Sequence, residues 1–325
     1  MRYRTLLTIS VLLISWAVAV ARPRKHTREP RDQRVERTIA AAPDVVLSVC
    51  LGAGSLSVQA WHQNQVRVRS SDGLPIELRR PAGASNSGPA KELSVVIGNV
   101  LTRPGSSCLP FGDIQLDVPR AASLRLQTRD AGVSVSGVAR VNVVTQGGTV
   151  NVQRVTRVVD VVSIGGNISV QNSKAAIKLH SIGGSIDAHG VAPSAAGDVC
   201  EAGTVSGDIT LAQISHGQVI VSTVSGDVSF TSSLTHGGHY SFQAIQGDVS
   251  LFLPADSSFR LSANLGRGGN VNSDFPLGYS LRVVEQPDPL KKRDSGFQHV
   301  EAVYGTGDAL ITLSSFGGAV RLRKK

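Results

Sequence analysis

The feature of this 325-residue sequence that most constrains its fold is a short unit that recurs at near-constant spacing. A glycine or another small residue is followed by a polar residue and then by aliphatic, polar and aliphatic or small positions. Seven clear copies run from Ala131 to Leu251, and their starts are 17, 18, 18, 23, 19 and 21 residues apart. Such repetition is typical of solenoids, in which each repeat packs only on its neighbours.

The spacing predicts an all-β fold, a parallel β-helix or β-solenoid with about 18–20 residues per coil. A coil of that length holds two or three short strands, and each strand pairs with its copy in the next coil at about 4.8 Å. No long segment has helical periodicity. The alternative is a β-sandwich, whose strands also alternate but do not repeat one short unit so regularly. Because aromatic residues make up only 4% of the chain, the predicted core is aliphatic.

The glycine of each unit is expected at a corner between strands. A corner needs a positive φ, where a residue with a Cβ costs about 1–2 kcal/mol and glycine does not. The predicted corner glycines are Gly148, Gly166, Gly184, Gly207, Gly226 and Gly247.

Asp208, Asp227 and Asp248 follow three of these glycines and should stack as a ladder. We expect each carboxylate to accept a hydrogen bond from the backbone of its own corner. The alternative is a surface Ca²⁺ site, since Ca²⁺ prefers carboxylate oxygen. The glycine-rich nonapeptide of Ca²⁺-binding β-rolls is absent, so no metal or other cofactor is expected.

Other candidate binding residues are few. Trp61 and Tyr240 are weak candidates for a sugar site, which usually needs aromatic platforms. His236 and His239 lack partners at metal-ligand spacing, and no nucleophile elbow or phosphate loop occurs. No catalytic residue is therefore predicted. The irregular segments 70–91, 189–202 and 284–298 are expected to be loops, which are the better candidates for a partner site.

The N-terminus resembles an export signal. Residues 1–21 combine a positive start, an apolar stretch and a small-residue cleavage pattern, which indicates a signal peptide, with an uncleaved anchor as the alternative. Residues 22–38 are charged and poor in aliphatic residues, which predicts a flexible basic linker. Residues 39–325 are predicted to form a single β-solenoid domain. The expected location is therefore the periplasm, the cell surface or the medium.

The formal net charge of +9 is concentrated at the ends of the chain. Residues 22–38 carry a net charge of +4, and the last five residues, 321–325, carry another +4. A nearly neutral body lacks the one-sided basic patch of a nucleic-acid-binding protein, so no nucleic-acid partner is expected. The basic ends could contact an anionic envelope surface, although a solvated tail is the simpler interpretation.

Three cysteines are present, so one thiol stays unpaired if a disulfide forms. Cys50 lies in an aliphatic strand-like run and could simply be a small buried apolar residue. If export allows a disulfide, Cys50 and Cys108 are the favoured pair, because both lie outside the regular repeats.

The sequence resembles the DUF4097 family, whose members are often exported bacterial proteins labelled as candidate adhesins. The resemblance covers about residues 36–325 and rests on segments that occur in the family's order. They are Glu36–Ile39, Leu56–Trp61, Ile114–Arg120, the repeated Thr-Val-Ser-Gly-Asp of 204–208 and 223–227, Leu251–Ala255 and Gly305–Asp308. The resemblance implies a parallel β-helix-like stack of right-handed coils and implies no catalytic residues.

These observations favour a non-enzymatic exported envelope protein, an interaction or adhesion-type scaffold for an envelope protein or surface polymer not identified by sequence. The alternative is a carbohydrate-binding or polysaccharide-acting β-helix protein. An enzyme of that kind needs clustered acidic and basic side chains on one face, which the repeated positions lack.

Overall fold

The computed structural model describes residues 35–84, 87–98, 108, 110–266, 271–281 and 298–325. The predicted signal peptide 1–21, all but the end of the linker 22–38 and nearly all of the segment 284–298 lie outside the described residues. Those three expectations stay predictions. None of the described residues forms a helix that is long and apolar enough to cross a membrane.

Alternating side chains along the described chain produce 26 β-strands. The first thirteen are β1 (Val35–Leu51), β2 (Ala53–Trp61), β3 (Gln65–Ser70), β4 (Ile76–Arg79), β5 (Ala90–Ile97), β6 (Phe111–Pro119), β7 (Ser123–Thr128), β8 (Gly132–Ser136), β9 (Arg140–Thr145), β10 (Val150–Gln153), β11 (Val158–Ser163), β12 (Ile168–Gln171) and β13 (Ala176–Ser181). The others are β14 (Ile186–Val191), β15 (Val199–Ser206), β16 (Ile209–Ile214), β17 (Gln218–Ser225), β18 (Val228–Thr231), β19 (His239–Gln246), β20 (Val249–Leu253), β21 (Phe259–Leu265), β22 (Val271–Ser273), β23 (Gly278–Leu281), β24 (Gln298–Tyr304), β25 (Ala309–Ser315) and β26 (Val320–Lys324).

Each coil of the regular part contains two parallel strands on opposite faces. The even-numbered strands β8 to β20 form face A, and the odd-numbered strands β7 to β19 form face B. Strand β1 pairs on both faces and joins them into one sheet. The seven sequence units coincide with the strands of face A, and the prediction of a β-solenoid is confirmed. The handedness of the coils stays a prediction.

The core lies between the two faces and is filled by the inward-pointing residues of every strand. In β10 and β12, for example, Val150, Val152, Ile168 and Val170 are almost fully buried, while the residues between them face outwards. The register keeps equivalent positions above one another, so aliphatic columns run along the stack. Larger rings fill the core at two places. Phe230 packs on Tyr240 and Phe242 with ring centroids 5.8 and 5.2 Å apart, and Phe259 packs on Phe275 at 5.4 Å.

Both ends of the chain are inserted one rung inside the stack. Strands β1 and β2 lie between the rung of β5 and β6 and the rung of β7 and β8. Likewise, β25 and β26 lie between the rung of β19 and β20 and the rung of β21 and β22. Antiparallel strands lie beyond the outer rungs, namely β3 and β4 at one end and β24 and β23 at the other. These strands cover the outer edges of β5, β6 and β21, whereas β22 pairs only with β26 among the described strands.

Two of the predicted loops are partly strand. The segment 70–91 contains β4, where Ile76 is buried and pairs antiparallel with Ile97 of β5. Pro, Gly and Ser around β4 hid this four-residue strand in the sequence. The segment 189–202 is a short turn, because β14 continues to Val191 and β15 begins at Val199.

Candidate functional site

The predicted corner glycines lie where the chain passes from face B to face A. The reason that glycine is required there is mainly not the positive φ that was expected. Only Gly148, with φ of +79°, is well inside the left-handed region, and Gly166, Gly184 and Gly207 do not have positive φ. Instead, a Cβ at any of the six would overlap the backbone carbonyl of the preceding rung. The glycines recur because the rungs approach closely at this corner.

A buried row of hydroxyl groups supports the same corner. A serine or threonine lies three residues before most of the corner glycines and is at most 6% exposed. Ser163 Oγ accepts the Gly166 N–H at 2.8 Å, and Thr204 Oγ1 donates to the Gly184 carbonyl at 3.1 Å. A hydroxyl residue three positions before the glycine is visible in the sequence, but it was not among the predicted site residues, because those were exposed polar positions.

The aspartates form the expected ladder, but each carboxylate bonds to the next rung rather than to its own corner. Asp208 Oδ1 accepts the Asp227 N–H at 2.9 Å, and Asp227 Oδ1 accepts the Asp248 N–H at 2.8 Å. Asp248 Oδ1 in turn accepts the Ala319 N–H at 2.7 Å, and its other oxygen pairs with Arg321 at 2.5 Å. These bonds lower the pKa of Asp248, with the Ala319 N–H as the main cause.

The ladder therefore holds rungs together, because its carboxylates accept bonds from the protein backbone. No group of three or more His, Cys, Asp or Glu side chains in the described ranges is arranged to hold a metal ion.

The two weak sugar-site candidates lie far apart in the stack and differ in exposure. Tyr240 is 1% exposed in the core, and its hydroxyl accepts the Thr235 N–H at 2.7 Å, so it cannot serve as an exposed platform. Trp61 lies at the end of β2, where its indole N–H donates to the Gln65 carbonyl at 2.8 Å. The Arg67 guanidinium covers its ring at 4.7 Å from the centroid.

A serine, a histidine and an aspartate share a pocket of about 230 Å³, but they do not form a catalytic triad. Ser258 Oγ accepts the N–H groups of Thr306, Gly307 and Asp308 at 3.0–3.2 Å. His236 is largely exposed and lies 3.8 Å from Asp308, and it makes no hydrogen bond to Ser258 among the described contacts. A triad requires a hydrogen bond between the serine and the histidine. Ser258 instead closes the turn between β24 and β25.

Cys50 and Cys108 are joined by a disulfide, with their α-carbons 5.3 Å apart. Cys108 Sγ also lies 3.3 Å from the Gln127 carbonyl, so the bridge is placed on the outer surface of face B. Cys200 is a free, buried cysteine, and burial raises the pKa of its thiol to about 12.

Beside this disulfide lies an open groove with a volume of about 750 Å³. Its floor is part of the outer surface of β5, β1, β7 and β9, and Arg79 and Arg80 border it after β4. The register aligns Ser94, Ser48 and Arg125 across neighbouring strands, with Arg79 next to Ser94. Two short serine side chains thus lie between two long arginine side chains. The predicted loop 70–91 contributes Arg79 and Arg80, but the sequence did not predict the site as a whole, because its lining residues are up to 96 positions apart in the chain.

A second exposed surface is an apolar row at the corner between the faces. Each member is the residue directly after the position that the buried hydroxyl row occupies in its strand. The side chains of these residues are between 38% and 54% exposed. The row comprises Ile164, Ile182, Val205, Val224, Ile245 and Phe316. It runs beside the aspartate ladder, so an apolar and an acidic row lie next to each other along this edge.

One protein family matches the chain. The model of the family described as Toastrack DUF4097 matches residues 137–312, which is more than half of the chain. A search of curated proteins found no significant match.

Three solved bacterial structures resemble the chain at low identity. A candidate lipid-binding protein from Parabacteroides distasonis is 13% identical, covers 89% of this chain and 96% of its own, and has a TM-score of 0.39. A candidate adhesin from Parabacteroides merdae is 11% identical, with coverages of 89% and 95% and a TM-score of 0.33. A candidate adhesin from Parabacteroides distasonis is 12% identical, with coverages of 89% and 96% and a TM-score of 0.31.

Proposed function

The chain belongs to the Toastrack DUF4097 family, and we propose that it is an exported, non-enzymatic envelope protein that serves as an adhesion-type scaffold. Its ligand in this proposal is a surface polymer. The observation that carries the proposal is the groove on face B, an open depression on an otherwise regular stack.

The regular part of the molecule supports a scaffold role because its polar side chains are used to hold rungs together. The aspartate ladder accepts backbone N–H groups, and the buried hydroxyl row bonds to the corner glycines. Ser258 is likewise engaged with backbone N–H groups. Carboxylates and hydroxyl groups are the kinds of side chain that a catalytic or metal site would need. Here the carboxylates and hydroxyl groups just named bond to the backbone and have a structural role.

The groove differs from these structural polar groups. It has a size typical of ligand sites, about 300–1,000 Å³, and the side chains of Arg79 and Arg125 at its borders are exposed. It also lies on strands that are fixed by the stack and by the disulfide. A rigid, preformed groove binds with little loss of conformational freedom.

Export and envelope binding are tested separately. Residues 1–38 are fused to a phosphatase reporter that is active only after export, with a fusion lacking residues 1–21 as the control. Activity of the first fusion alone is expected. The full-length chain is then incubated with isolated envelopes that were treated either with protease or with enzymes that degrade polysaccharide.

Binding that survives protease and is lost with the polysaccharide supports the proposal. An inactive reporter, or no retention on untreated envelopes, would show that the proposed function is wrong.

A further inference from the structure

The groove on face B has an arrangement of side chains that selects a class of ligand. Arg79 and Arg125 stand on β4 and β7, and β5 and β1 lie between them. Three steps between strands separate the two arginines by about 14 Å at the backbone. The intervening Ser94 and Ser48 are short, so the floor of the groove is low and carries hydroxyl groups.

The groove has a positive charge that is only partly balanced. Arg79 pairs with Glu77 at 2.5 Å, and Arg125 lies 3.6 Å from Glu92. Both pairs are between one third and two thirds exposed, where such pairs contribute little. A guanidinium has five N–H donors in a planar fork, so each arginine keeps donors for another carboxylate.

The third arginine has a different role. Arg80 donates to the Gly88 carbonyl at 2.7 Å and thereby holds the turn that borders the groove. None of the lining residues is acidic, since Glu77 and Glu92 lie outside the lining. The groove therefore presents cationic ends and a neutral, hydroxyl-bearing floor.

The remaining lining residues suit a sugar chain. Gln127 is aligned with Cys50 and Val144 on the neighbouring strands. This row lies two residues further along the strands than the row of the serines. Val144 is 45% exposed and offers an aliphatic surface to the C–H face of a sugar ring, and Gln127 offers an amide to its hydroxyl groups. Asn142 is already oriented by its bond to Asp160 at 2.9 Å.

We propose that this groove binds an acidic oligosaccharide whose carboxylates pair with Arg79 and Arg125. Ser48, Ser94 and Gln127 bind its hydroxyl groups. This inference rests on the proposed function and names the chemistry of the polymer. The two arginines at opposite ends favour a chain with repeated acid groups over a single small anion, because one carboxylate cannot pair with both.

Calorimetric titration of the full-length chain tests the inference. The probes are an oligogalacturonate and a neutral galactan oligomer of the same length. Arg79→Gln and Arg125→Gln each remove one charge-assisted contact and should weaken oligogalacturonate binding about tenfold or more. Ser94→Leu should also abolish most binding, because a large side chain fills the floor without changing the charge.

Two matched controls lie on face B far from the groove. Arg260→Gln makes the same charge change on β21, and Ser241→Leu makes the same size change in the outward row of β19. Both should bind oligogalacturonate within twofold of the original chain. Thermal melting of all variants checks that they fold, which is expected because the substituted side chains are exposed or lie at the surface.

Several outcomes would overturn the inference. They are equal binding of the neutral oligomer, no binding of oligogalacturonate, an equal loss in Arg260→Gln, or groove-dependent binding to vesicles of phosphatidylglycerol and phosphatidylcholine instead. If the chain binds envelope polysaccharide but the groove variants bind it normally, this inference fails while the proposed function stands.

Discussion

At the residue scale, the corner glycines allow the backbone of one rung to lie against the backbone of the next. Gly184 stands over the carbonyl of Gly166, and Gly166 stands over that of Gly148. A side chain at this position would meet backbone atoms of the preceding rung. These atoms cannot move aside as a flexible side chain could, because their strand is paired with neighbouring rungs. Overpacking of this kind destabilises a fold by about 1–3 kcal/mol or more.

Replacement of one corner glycine tests this explanation. Gly184→Ala should lower the free energy of unfolding by at least about 1–3 kcal/mol, because the new Cβ forces adjacent rungs apart. Gly217→Ala is the matched control, since its Cβ would meet nothing within 4 Å and its φ is not positive. Denaturant titration measures both. Equal stability of the two variants would show that close approach is not the reason for the glycine.

His216 is a second residue whose burial has a measurable consequence. Its side chain is fully buried, its Nε2 lies 2.8 Å from the Ala175 carbonyl, and its Nδ1 has no hydrogen-bond partner in the described part of the chain. Burial lowers the pKa of His216, although the Ala175 bond and the charge of Asp198 act in the opposite direction. The folded chain therefore keeps this imidazole neutral.

Stability should depend on His216 below neutral pH. The unfolded chain binds a proton near pH 6.5, whereas the folded chain binds it only at lower pH. The contribution is therefore complete above about pH 6.5 and is lost as pH falls through the folded pKa. His216→Gln should flatten the dependence of the melting temperature on pH below about 6.5. His239→Gln makes the same substitution at an exposed position and is the control, and an unchanged slope in His216→Gln would contradict the assignment.

At the scale of elements, the aspartate ladder shows how one strand is aligned with the next. Each carboxylate bonds the N–H at the start of the following face A strand, so the ladder fixes register at the corner. Its last member, Asp248, joins β20 to the C-terminal strand β26 through Ala319 and Arg321. A slip of one residue would place the aliphatic positions outside, and the ladder opposes that slip.

Asp248→Asn should destabilise the fold by about 1 kcal/mol at neutral pH. Asparagine keeps an acceptor for the Ala319 N–H but loses the charge that pairs with Arg321, and partial exposure limits the effect. Because the pKa of Asp248 is lowered from 3.8, this stabilisation is complete above that pH and is lost as pH falls through the folded pKa.

The difference between the two chains should therefore decrease as pH falls below about 3.8, which denaturant titrations at pH 7 and at low pH would measure. Asp256→Asn, in a turn outside the ladder, is the control and should match the original chain at both pH values.

At the scale of the whole molecule, the insertion of both chain ends separates sequence order from spatial order. Successive coils in the middle are about 18 residues apart, but the residue that Asp248 bonds in the next rung, Ala319, is 71 residues away. The place between β19 and β21 is filled by β25, which follows β21 to β24 in the chain. Closing so long a loop is slower than adding a neighbouring coil.

The C-terminal rung should consequently form late in folding. Leu313→Ala in β25 and Leu179→Ala in β13 both remove a fully buried side chain and should each cost about 2–5 kcal/mol. Leu313→Ala should mainly accelerate unfolding, whereas Leu179→Ala should slow refolding. Stopped-flow measurements in denaturant distinguish the two effects. Equal slowing of refolding by both substitutions would rule out the proposed order.

The repeat unit and its spacing determined the fold class of this protein. A period close to 18 residues with alternating aliphatic positions is compatible with few structures other than a stack of short strands, because the pattern is local and is copied in each coil. The hydroxyl residue three positions before most of the corner glycines was also present as a local pattern. For the cysteines, the sequence only favoured Cys50 and Cys108 as the pair if a bridge forms, because both lie outside the repeats.

Only the tertiary structure decided features that depend on contacts between distant segments. The partner of each aspartate carboxylate depends on the offset between neighbouring rungs. The burial of Tyr240 depends on whether its side chain points into the core or outwards. The inserted ends and the groove bring together strands that are not consecutive in the chain. Sequence periodicity describes what each coil repeats, whereas these features arise where the chain departs from the repeat, and there only the packing of the rungs determines which side chains meet.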